Sequence, residues 1–352
     1  MSWTKIVSMM GVMLAVSGAW GEELRLNDFQ MIGTHNSYHL SPTEAELQMI
    51  ARNKPEDAKA VVYSNRTLTE QLNRGIRQFE LDLWSDPSGR RFAHPMALRL
   101  ASRPGSSGGV SSHDPAGKLL WPGAKVLHAP HYDFRTTVLT LKDALEEMGK
   151  WSEEHPDHHP VMVILELKGQ TKDWTNEKLK VLEAEVLEGM SRERLLTPDD
   201  VRGDAKDLRS AVVGRGWPEM SQCQGKFLLM LDNEGEVRDG YVDADPILKG
   251  RLLFPSCESE NEPAAGWFKL NNVMKDAQRI RQLVESGFLV RTRSDVGLKE
   301  GRENDPTRRD LALKSGAQFV STDFPEPKEG MSDYQVVFED GGYVRRNPVT
   351  KK

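Results

Sequence analysis

The chain has 352 residues, of which 38% are hydrophobic and 28% are charged, a composition typical of a globular protein with a large core. Its formal net charge is −6, so no overall electrostatic attraction favours a polyanion, and we expect no nucleic-acid partner. An anionic substrate would have to meet local basic side chains or a bound metal ion.

The N-terminal segment carries Lys5 ahead of an apolar run from Ile6 to Val16, followed by small residues up to Gly21. This order predicts a secretory signal peptide over residues 1–21, because the apolar run is shorter than the roughly 20 residues that span a bilayer. An uncleaved membrane anchor is the alternative. We therefore expect an exported protein, periplasmic or secreted, with one folded domain over residues 22–343 and a mobile tail over residues 344–352.

Eight short runs rich in apolar, β-branched or aromatic residues predict β-strands. They are Phe29–Gly33, Gln78–Leu83, Lys125–His128, Val161–Leu167, Phe227–Leu231, Leu252–Pro255, Phe288–Arg291 and Gln318–Thr322. Segments with helical spacing lie between them: Leu68–Arg74, Thr140–Glu154, Asn176–Met190, Val273–Glu285 and Thr307–Lys314. This alternation predicts a parallel sheet in an α/β fold, a (β/α)8 barrel of the TIM type with loop insertions. An open, doubly wound sheet is the alternative.

The chain has two cysteines, Cys223 and Cys257. Export would carry them to an oxidising compartment, where they could form one disulfide, and two inert thiols are the alternative. Two cysteines without a C-x-x-C spacing argue against a zinc site.

Polar side chains follow the predicted strands. Glu80 and Asp82 are two residues apart on one strand and therefore face the same side. Buried together, they would repel each other unless a cation or protons compensated the charge. Glu166 and the amide oxygen of Asn36, from two other strands, would complete the all-oxygen set of ligands that Ca²⁺ prefers.

Two histidines end different predicted strands, His35 and His128. Across a substrate they could act as base and acid, the pairing that cleavage of a phosphodiester by an internal hydroxyl group requires. Other histidines are available for these roles, notably His39, His94, His113 and His131.

Basic side chains near the same strand ends could bind phosphate. Lys168 would act as a point charge, whereas Arg291 and Arg293 could clamp a phosphate with two hydrogen bonds. Asp323 follows the last predicted strand, and we assign these four residues to substrate binding.

Four segments carry a resemblance to the phosphoinositide-specific phospholipase C family, above all its exported, Ca²⁺-dependent bacterial branch. The run from Met31 to Tyr38 resembles the family's His-Asn-Thr-Tyr element, and Phe79 to Trp84 resembles its Glu-Leu-Asp strand. Val163 to Glu166 resembles its fourth strand, and Ala317 to Asp323 its last strand. These short motifs occur in the family's order.

The resemblance implies that His35 and His128 are catalytic and that Asn36, Glu80, Asp82 and Glu166 hold Ca²⁺. It also implies cleavage of a phosphatidylinositol-type phospholipid to diacylglycerol and inositol 1,2-cyclic phosphate. Any contact with the membrane would have to come from the barrel loops, and we expect a monomer. We prefer His128 to His94 because Lys125 to Leu127 supplies a strand before it, although His94 is nearer to Asp82 in sequence.

Two other functions compete with this interpretation. Glycerophosphodiester phosphodiesterases share the barrel and a Glu-x-Asp pair, but that family tends to have Arg after its first histidine, where this chain has Asn36. A catalytically inactive, Ca²⁺-dependent binder of phospho-sugars or anionic lipids could retain the same ligands. Loss of both histidines would mark such a protein, and here both are present.

Overall fold

The protein is described by a computed structural model that covers residues 24–101 and 112–350. The predicted signal peptide over residues 1–21 lies outside the described residues. Within these two ranges, no helix combines the length and the apolar content needed to cross a bilayer.

Eight parallel strands form the centre of the fold, as the sequence predicts. They are β1 (Phe29–Thr34), β2 (Gln78–Trp84), β4 (Val161–Lys168), β5 (Phe227–Leu231), β6 (Leu253–Pro255), β7 (Trp267–Lys269), β8 (Leu289–Arg293) and β9 (Phe319–Thr322). Their order in the sheet is β6-β5-β4-β2-β1-β9-β8-β7. The sheet curves into a barrel that is nearly closed, because β6 and β7 meet only through one parallel bridge between Ser256 and Trp267.

Thirteen α-helices accompany the strands in the described part of the chain. They are α1 (Glu44–Asn53), α2 (Pro55–Ala60), α3 (Leu68–Asn73), α4 (Met96–Ala101), α5 (Leu141–Glu154), α6 (Asn176–Gly189), α7 (Pro198–Arg202), α8 (Leu208–Gly214), α9 (Met220–Cys223), α10 (Glu236–Ala244), α11 (Val273–Glu285), α12 (Lys299–Glu303) and α13 (Thr307–Ser315). Short 3-10 helices occupy Leu26–Asp28, Lys118–Leu120, Thr171–Asp173 and Arg192–Arg194. The five predicted helices are confirmed, with ends that differ by no more than one residue.

One predicted barrel strand is wrong. Lys125 and Val126 form β3 (Lys125–Val126), which pairs antiparallel with the end of β2 and lies outside the barrel order. The insertion after β2 turns back on itself here, so its last residues run opposite to the barrel strands. The eighth barrel strand is instead β7, whose two apolar residues, Trp267 and Phe268, lie between Gly266 and Lys269 and do not stand out in the sequence.

The C-terminal segment also differs from its prediction. Residues 344–352 were expected to be a mobile tail, but Val344–Arg346 form β10, which pairs antiparallel with β1. Asn347 follows it and is buried, and its side-chain Nδ2 donates a hydrogen bond to Gly316 O at 2.7 Å. Residues 344–346 therefore pair with the first three residues of β1.

Both cysteines are buried and unpaired. Burial raises the pKa of Cys223 to about 12 and that of Cys257 to about 11. Of the two alternatives left open by the sequence, the structure contains two separate thiols and no disulfide between them.

The register of β2 and β4 places the polar side chains of the site. Asp82 and Glu166 are direct partners across the parallel pair, and Trp84 is the partner of Lys168. Because side chains alternate along a strand, Glu80 shares a face with Asp82, and Lys168 shares a face with Glu166. Four charged groups are thus brought to one rim of the barrel by strand geometry alone.

Close contact between β1 and β2 supports this rim. Gly33 pairs with Gln78, and a Cβ at Gly33 would lie 2.3 Å from the Cβ of Gln78. Gly33→Ala should therefore force the two strands apart and lower the free energy of unfolding by about 2 kcal/mol or more. Urea denaturation followed by circular dichroism would measure this loss.

Gly240→Ala is the matched control, because nothing lies within 4 Å of a Cβ built at this position in α10. We expect it to leave the stability unchanged or raise it by up to about 1 kcal/mol. Equal stability of the two variants would show that the β1–β2 contact is not as tight as the structure indicates.

Candidate active site

The first histidine lies directly after β1, and its ring has three charged neighbours: Asp323, Arg293 and Glu80, whose Oε1 lies 3.7 Å from His35 Nε2. His35 Nδ1 lies 2.7 Å from Asp323 Oδ1, and Arg293 Nη1 lies 3.1 Å from His35 Nε2. A guanidinium can only donate, so Nε2 must accept with its lone pair, and Nδ1 must donate its proton to the carboxylate. The pKa of Asp323 is lowered to about 2 because His35 and Arg293 outweigh the cost of burial. In this network the lone pair of His35 Nε2 is directed at the Arg293 guanidinium.

The next residue makes the turn that leaves β1. Asn36 has a φ of 43°, a left-handed conformation that asparagine tolerates better than most residues. Its carbonyl oxygen accepts hydrogen bonds from Asn65 Nδ2 and from the backbone N–H of His39, both at 2.9 Å. Ser37 then joins the turn to β2, because its N–H donates to Glu80 O at 3.0 Å and its Oγ accepts from the Glu80 N–H at 2.8 Å. These bonds fix the backbone of the turn that carries Asn36 against β2.

Three carboxylates form the centre of the site. Glu80, Asp82 and Glu166 each offer an oxygen, and these oxygens all lie within 4.8 Å of one another. Glu80 and Asp82 are buried, whereas Glu166 is partly exposed. Burial raises the pKa of Asp82 to about 7, even though Lys168 opposes that rise. The cluster thus carries more negative charge than its surroundings readily accommodate.

Two cations offset part of this charge. Arg291 is buried and donates through Nη2 to Glu80 Oε2 and, at 3.0 Å, to Ser321 Oγ. Lys168 Nζ lies 2.7 Å from Glu166 Oε1 and 3.0 Å from Asp82 Oδ2. Burial by itself would raise the pKa of Glu80. The positive charge of Arg291 outweighs this effect, so the pKa of Glu80 is lowered.

The residues of this cluster fit a bound Ca²⁺ ion. Apart from the ion pair of Oδ2 with Lys168 Nζ at 3.0 Å, the buried carboxylate oxygens of Asp82 have no partner, and a coordinated cation would relieve the cost of their burial. The donor set consists of oxygens, and such hard donors are the ligands that Ca²⁺ takes in proteins.

The second histidine reaches the same rim from the insertion after β2. Leu127 N donates to Asp82 O at 3.1 Å, and the indole Nε1 of Trp84 donates to Leu127 O at 2.8 Å. His128 follows directly, with 34% of its side chain exposed. Its Nδ1 lies 2.7 Å from Asp133 Oδ2. Burial lowers the pKa of His128, but the hydrogen bond and the charge of Asp133 outweigh it, so that the pKa is raised.

Asp133 was not identified from the sequence. A tight loop returns it to His128, since the backbone N–H groups of Ala129 and Asp133 each donate to the carbonyl of the other. Pro130 inside the His128-to-Asp133 segment was the sequence signal for this turn. His94, the alternative second histidine, is exposed in the segment that precedes α4.

The predicted substrate-binding residues form two groups. Lys168 and Arg291 lie against the carboxylates, and Asp323 and Arg293 lie against His35. A further ion pair, unassigned in the sequence analysis, joins Lys269 at the end of β7 to Asp232 after β5. The structure thus brings all the predicted site residues to one end of the barrel.

Comparison with known proteins agrees with this geometry. The model of the family described as "Phosphoinositide phospholipase C, Ca2+-dependent" matches residues 24–348. Among solved structures, a calcium-dependent phosphoinositol-specific phospholipase C from Pseudomonas sp is 17% identical, with a TM-score of 0.57 over 92% of this chain and 95% of that chain. A Ca²⁺-dependent phosphatidylinositol-specific phospholipase C from Streptomyces antibioticus is 15% identical, with a TM-score of 0.53 over 85% of this chain and 95% of that chain. No curated protein matches.

The carboxylate cluster leads to a prediction about metal binding. Asp82→Asn should reduce Ca²⁺ affinity about tenfold or more, equivalent to about 1.4 kcal/mol, because it removes a charged ligand. In chelator the variant should be at least as stable as the parent, since its buried side chain no longer carries a charge. Thermal unfolding with and without Ca²⁺ would measure both effects. The exposed Asp204→Asn is the control, and an equal Ca²⁺ stabilisation of both variants would remove Asp82 from the ligands.

The position of Lys168 leads to a second prediction. Lys168→Met removes the ammonium that lies against Asp82 and Glu166 and should raise Ca²⁺ affinity, because the ion no longer meets a nearby positive charge. Without Ca²⁺ the variant should be less stable than the parent, since the carboxylates lose this cation. Isothermal titration calorimetry would measure the affinity, with the exposed Lys172→Met as control. Weaker Ca²⁺ binding by Lys168→Met alone would contradict this account.

Proposed function

Because the chain belongs to the Ca²⁺-dependent phosphoinositide phospholipase C family, we propose that it cleaves phosphatidylinositol, or a phosphoinositide, to diacylglycerol and inositol 1,2-cyclic phosphate. The observation that carries the proposal is the different hydrogen bonding of two histidines at one rim. His35 accepts at Nε2 from Arg293, whereas Asp133 raises the pKa of His128. One ring is ready to take a proton and the other to give one.

His35 is the general base of the proposed reaction. Its Nε2 would take the proton of the inositol 2-hydroxyl as that oxygen forms a bond to phosphorus. Asp323, which accepts from Nδ1, would stabilise the imidazolium that results. Arg293 now donates to the same Nε2, so the hydroxyl would replace this contact and leave the guanidinium free to bind a phosphate oxygen.

His128 is the general acid. As the bond between phosphorus and the glycerol oxygen breaks, its ring would protonate the departing diacylglycerol oxygen. Asp133 favours the protonated ring by raising the pKa of His128. The proton taken by His35 and the proton given by His128 balance, so the next turnover requires only proton exchange with water.

Asn36, Glu80, Asp82 and Glu166 are the proposed Ca²⁺ ligands. When bound, Ca²⁺ would neutralise phosphate charge and acidify the attacking hydroxyl. Arg291 orients Glu80 through its hydrogen bond and is too deeply buried to contact the lipid directly. Lys168 lies partly exposed at the edge of the cluster, where its ammonium could bind a phosphate oxygen of the substrate.

Export and membrane contact remain part of this proposal. A phospholipid substrate lies in a bilayer, and the barrel loops of a monomer would have to reach it. Cleavage of residues 1–21 during export would be measured as the mass of the mature protein recovered from its producing cells.

Phosphatidylinositol vesicles provide the test of the two histidines. His35→Ala and His128→Ala should each lower kcat by about 10² to 10⁴, because each removes one proton transfer. Phosphorus NMR should show inositol 1,2-cyclic phosphate with the parent protein in Ca²⁺ and none in chelator. Circular dichroism would establish that both variants remain folded.

His94→Ala is the matched control and should retain parental activity. An inactive His94→Ala with an active His128→Ala would reverse the assignment of the acid. Release of glycerol phosphate from glycerophosphodiesters, without cleavage of phosphatidylinositol, would instead identify a glycerophosphodiester phosphodiesterase.

A further inference from the structure

A third histidine lies behind the proposed acid. His39 is fully buried in the loop after β1, four residues beyond His35. Its Nδ1 lies 3.1 Å from Tyr63 O, and its Nε2 lies 2.9 Å from Asp133 Oδ1 and 3.0 Å from Asp133 Oδ2. Both ring nitrogens therefore face oxygen atoms.

These contacts determine where the protons are. A backbone carbonyl only accepts, so Nδ1 of His39 must donate to Tyr63 O. Burial favours a raised pKa for Asp133, but hydrogen bonds from His128 and His39 outweigh it and the pKa is lowered, so the carboxylate is ionised and also only accepts. His39 Nε2 must then donate as well. The geometry thus places His39 Nδ1 to donate to the Tyr63 carbonyl and His39 Nε2 to donate to the Asp133 carboxylate.

His39 also fixes the direction of the carboxylate. Asp133 Oδ2 accepts from His128 Nδ1 at 2.7 Å, while His39 spans both oxygens from the other side. The plane of His39 is set by stacking on Tyr63, with ring centroids 4.4 Å apart and an angle of 23° between the rings. A carboxylate held by two donors has little freedom to rotate away from His128.

The loop after β1 connects this arrangement to the rest of the site. It carries His35 and Asn36, and the His39 N–H donates to Asn36 O at 2.9 Å. It also pairs with the segment after Asp133 through an antiparallel bridge between His39 and Thr136. The base, a proposed metal ligand and the support of the acid therefore share one short segment.

We propose that His39 is a positioning residue for the acid step, acting through Asp133 to hold His128 Nδ1 in its orientation. The inference rests on the proposed function, in which His128 protonates the leaving oxygen. His39 itself would touch neither substrate nor metal. Residues that support a functional histidine in this way typically change activity by about 10- to 100-fold when removed.

His39→Phe tests the proposal, because phenylalanine keeps the ring that stacks on Tyr63 and removes both donors. With phosphatidylinositol vesicles, kcat should fall about 10- to 100-fold, while KM and calorimetric Ca²⁺ affinity should stay within about twofold of the parent. A loss in KM or in Ca²⁺ binding with unchanged kcat would overturn the assignment.

A double-mutant cycle with Asp133→Asn separates action through Asp133 from a general packing defect. The double variant should be no more than about twofold less active than Asp133→Asn alone, because the carboxylate through which His39 acts is already lost. Multiplicative losses in the double variant would overturn the proposal.

His158→Phe is the matched control, because it replaces another buried histidine. His158 lies between α5 and β4, and its Nε2 is 2.8 Å from Ser152 Oγ. It should lower thermal stability without a comparable loss of kcat. Equal losses of kcat in His158→Phe and His39→Phe would reduce His39 to a packing role.

Nitrogen-15 NMR of the histidine-labelled parent protein tests the proton positions without any substitution. Nε2 of His39 should carry the proton that it donates to Asp133, and a lone pair on Nε2 would overturn the assignment even if His39→Phe does not fold. Activity of His128→Ala distinguishes the two levels of proposal. Parental activity in that variant would remove the proposed acid, whereas an inactive His128→Ala with a fully active His39→Phe would reject the role of His39 alone.

Discussion

The parallel register of β2 and β4 sets Asp82 beside Glu166, and the alternation of side chains brings Glu80 to the same face. Two of these three carboxylates are buried, and their oxygens lie within 4.8 Å of one another. Such a cluster is costly unless cations approach it, because buried like charges repel in a poorly screened environment. Much of the rest of the site follows from this cost, including the buried guanidinium of Arg291 and the ammonium of Lys168.

The two cations have unequal positions. Arg291 is enclosed on β8 and held by Glu80 and Ser321, so it is a fixed part of the barrel. Lys168 is partly exposed at the end of β4 and bridges Asp82 and Glu166. In the proposed function the ammonium at the edge would yield to a divalent ion or a phosphate, whereas the enclosed guanidinium would stay in place. The cluster therefore has one enclosed counter-charge and one at its edge.

The two catalytic histidines of the proposed mechanism each rest on a carboxylate, yet each carboxylate has a different second partner. Asp323 is shared with Arg293, which also donates to His35 Nε2 and so requires a lone pair there. Asp133 is shared with the buried His39 and raises the pKa of His128. One type of pair, histidine with carboxylate, can thus serve opposite proton transfers because the groups behind it differ.

Periodicity and composition predicted most of the fold. Seven of the eight barrel strands and all five predicted helices follow from apolar runs of adequate length, because burial against a central sheet requires them. In Trp267–Lys269 only two residues are apolar, so the sequence does not distinguish this strand from a loop. Its place in the barrel depends on the neighbouring strands. Lys125 and Val126 have strand-like residues, but only the path of the insertion makes them antiparallel.

The residue types of the site were also readable in sequence, since carboxylates, amides and histidines at strand ends are chemically conspicuous. The sequence predicted His35, His128 and the four proposed metal ligands. It also suggested Arg291 as a phosphate-binding residue, whereas in the structure Arg291 lies buried against Glu80. Asp133 and His39 acquire their roles only when a tight loop and the turn after β1 meet. Which side chains exist was determined by the sequence alone, whereas the charge each one meets was decided by the tertiary structure, because electrostatic partners are chosen by distance in space.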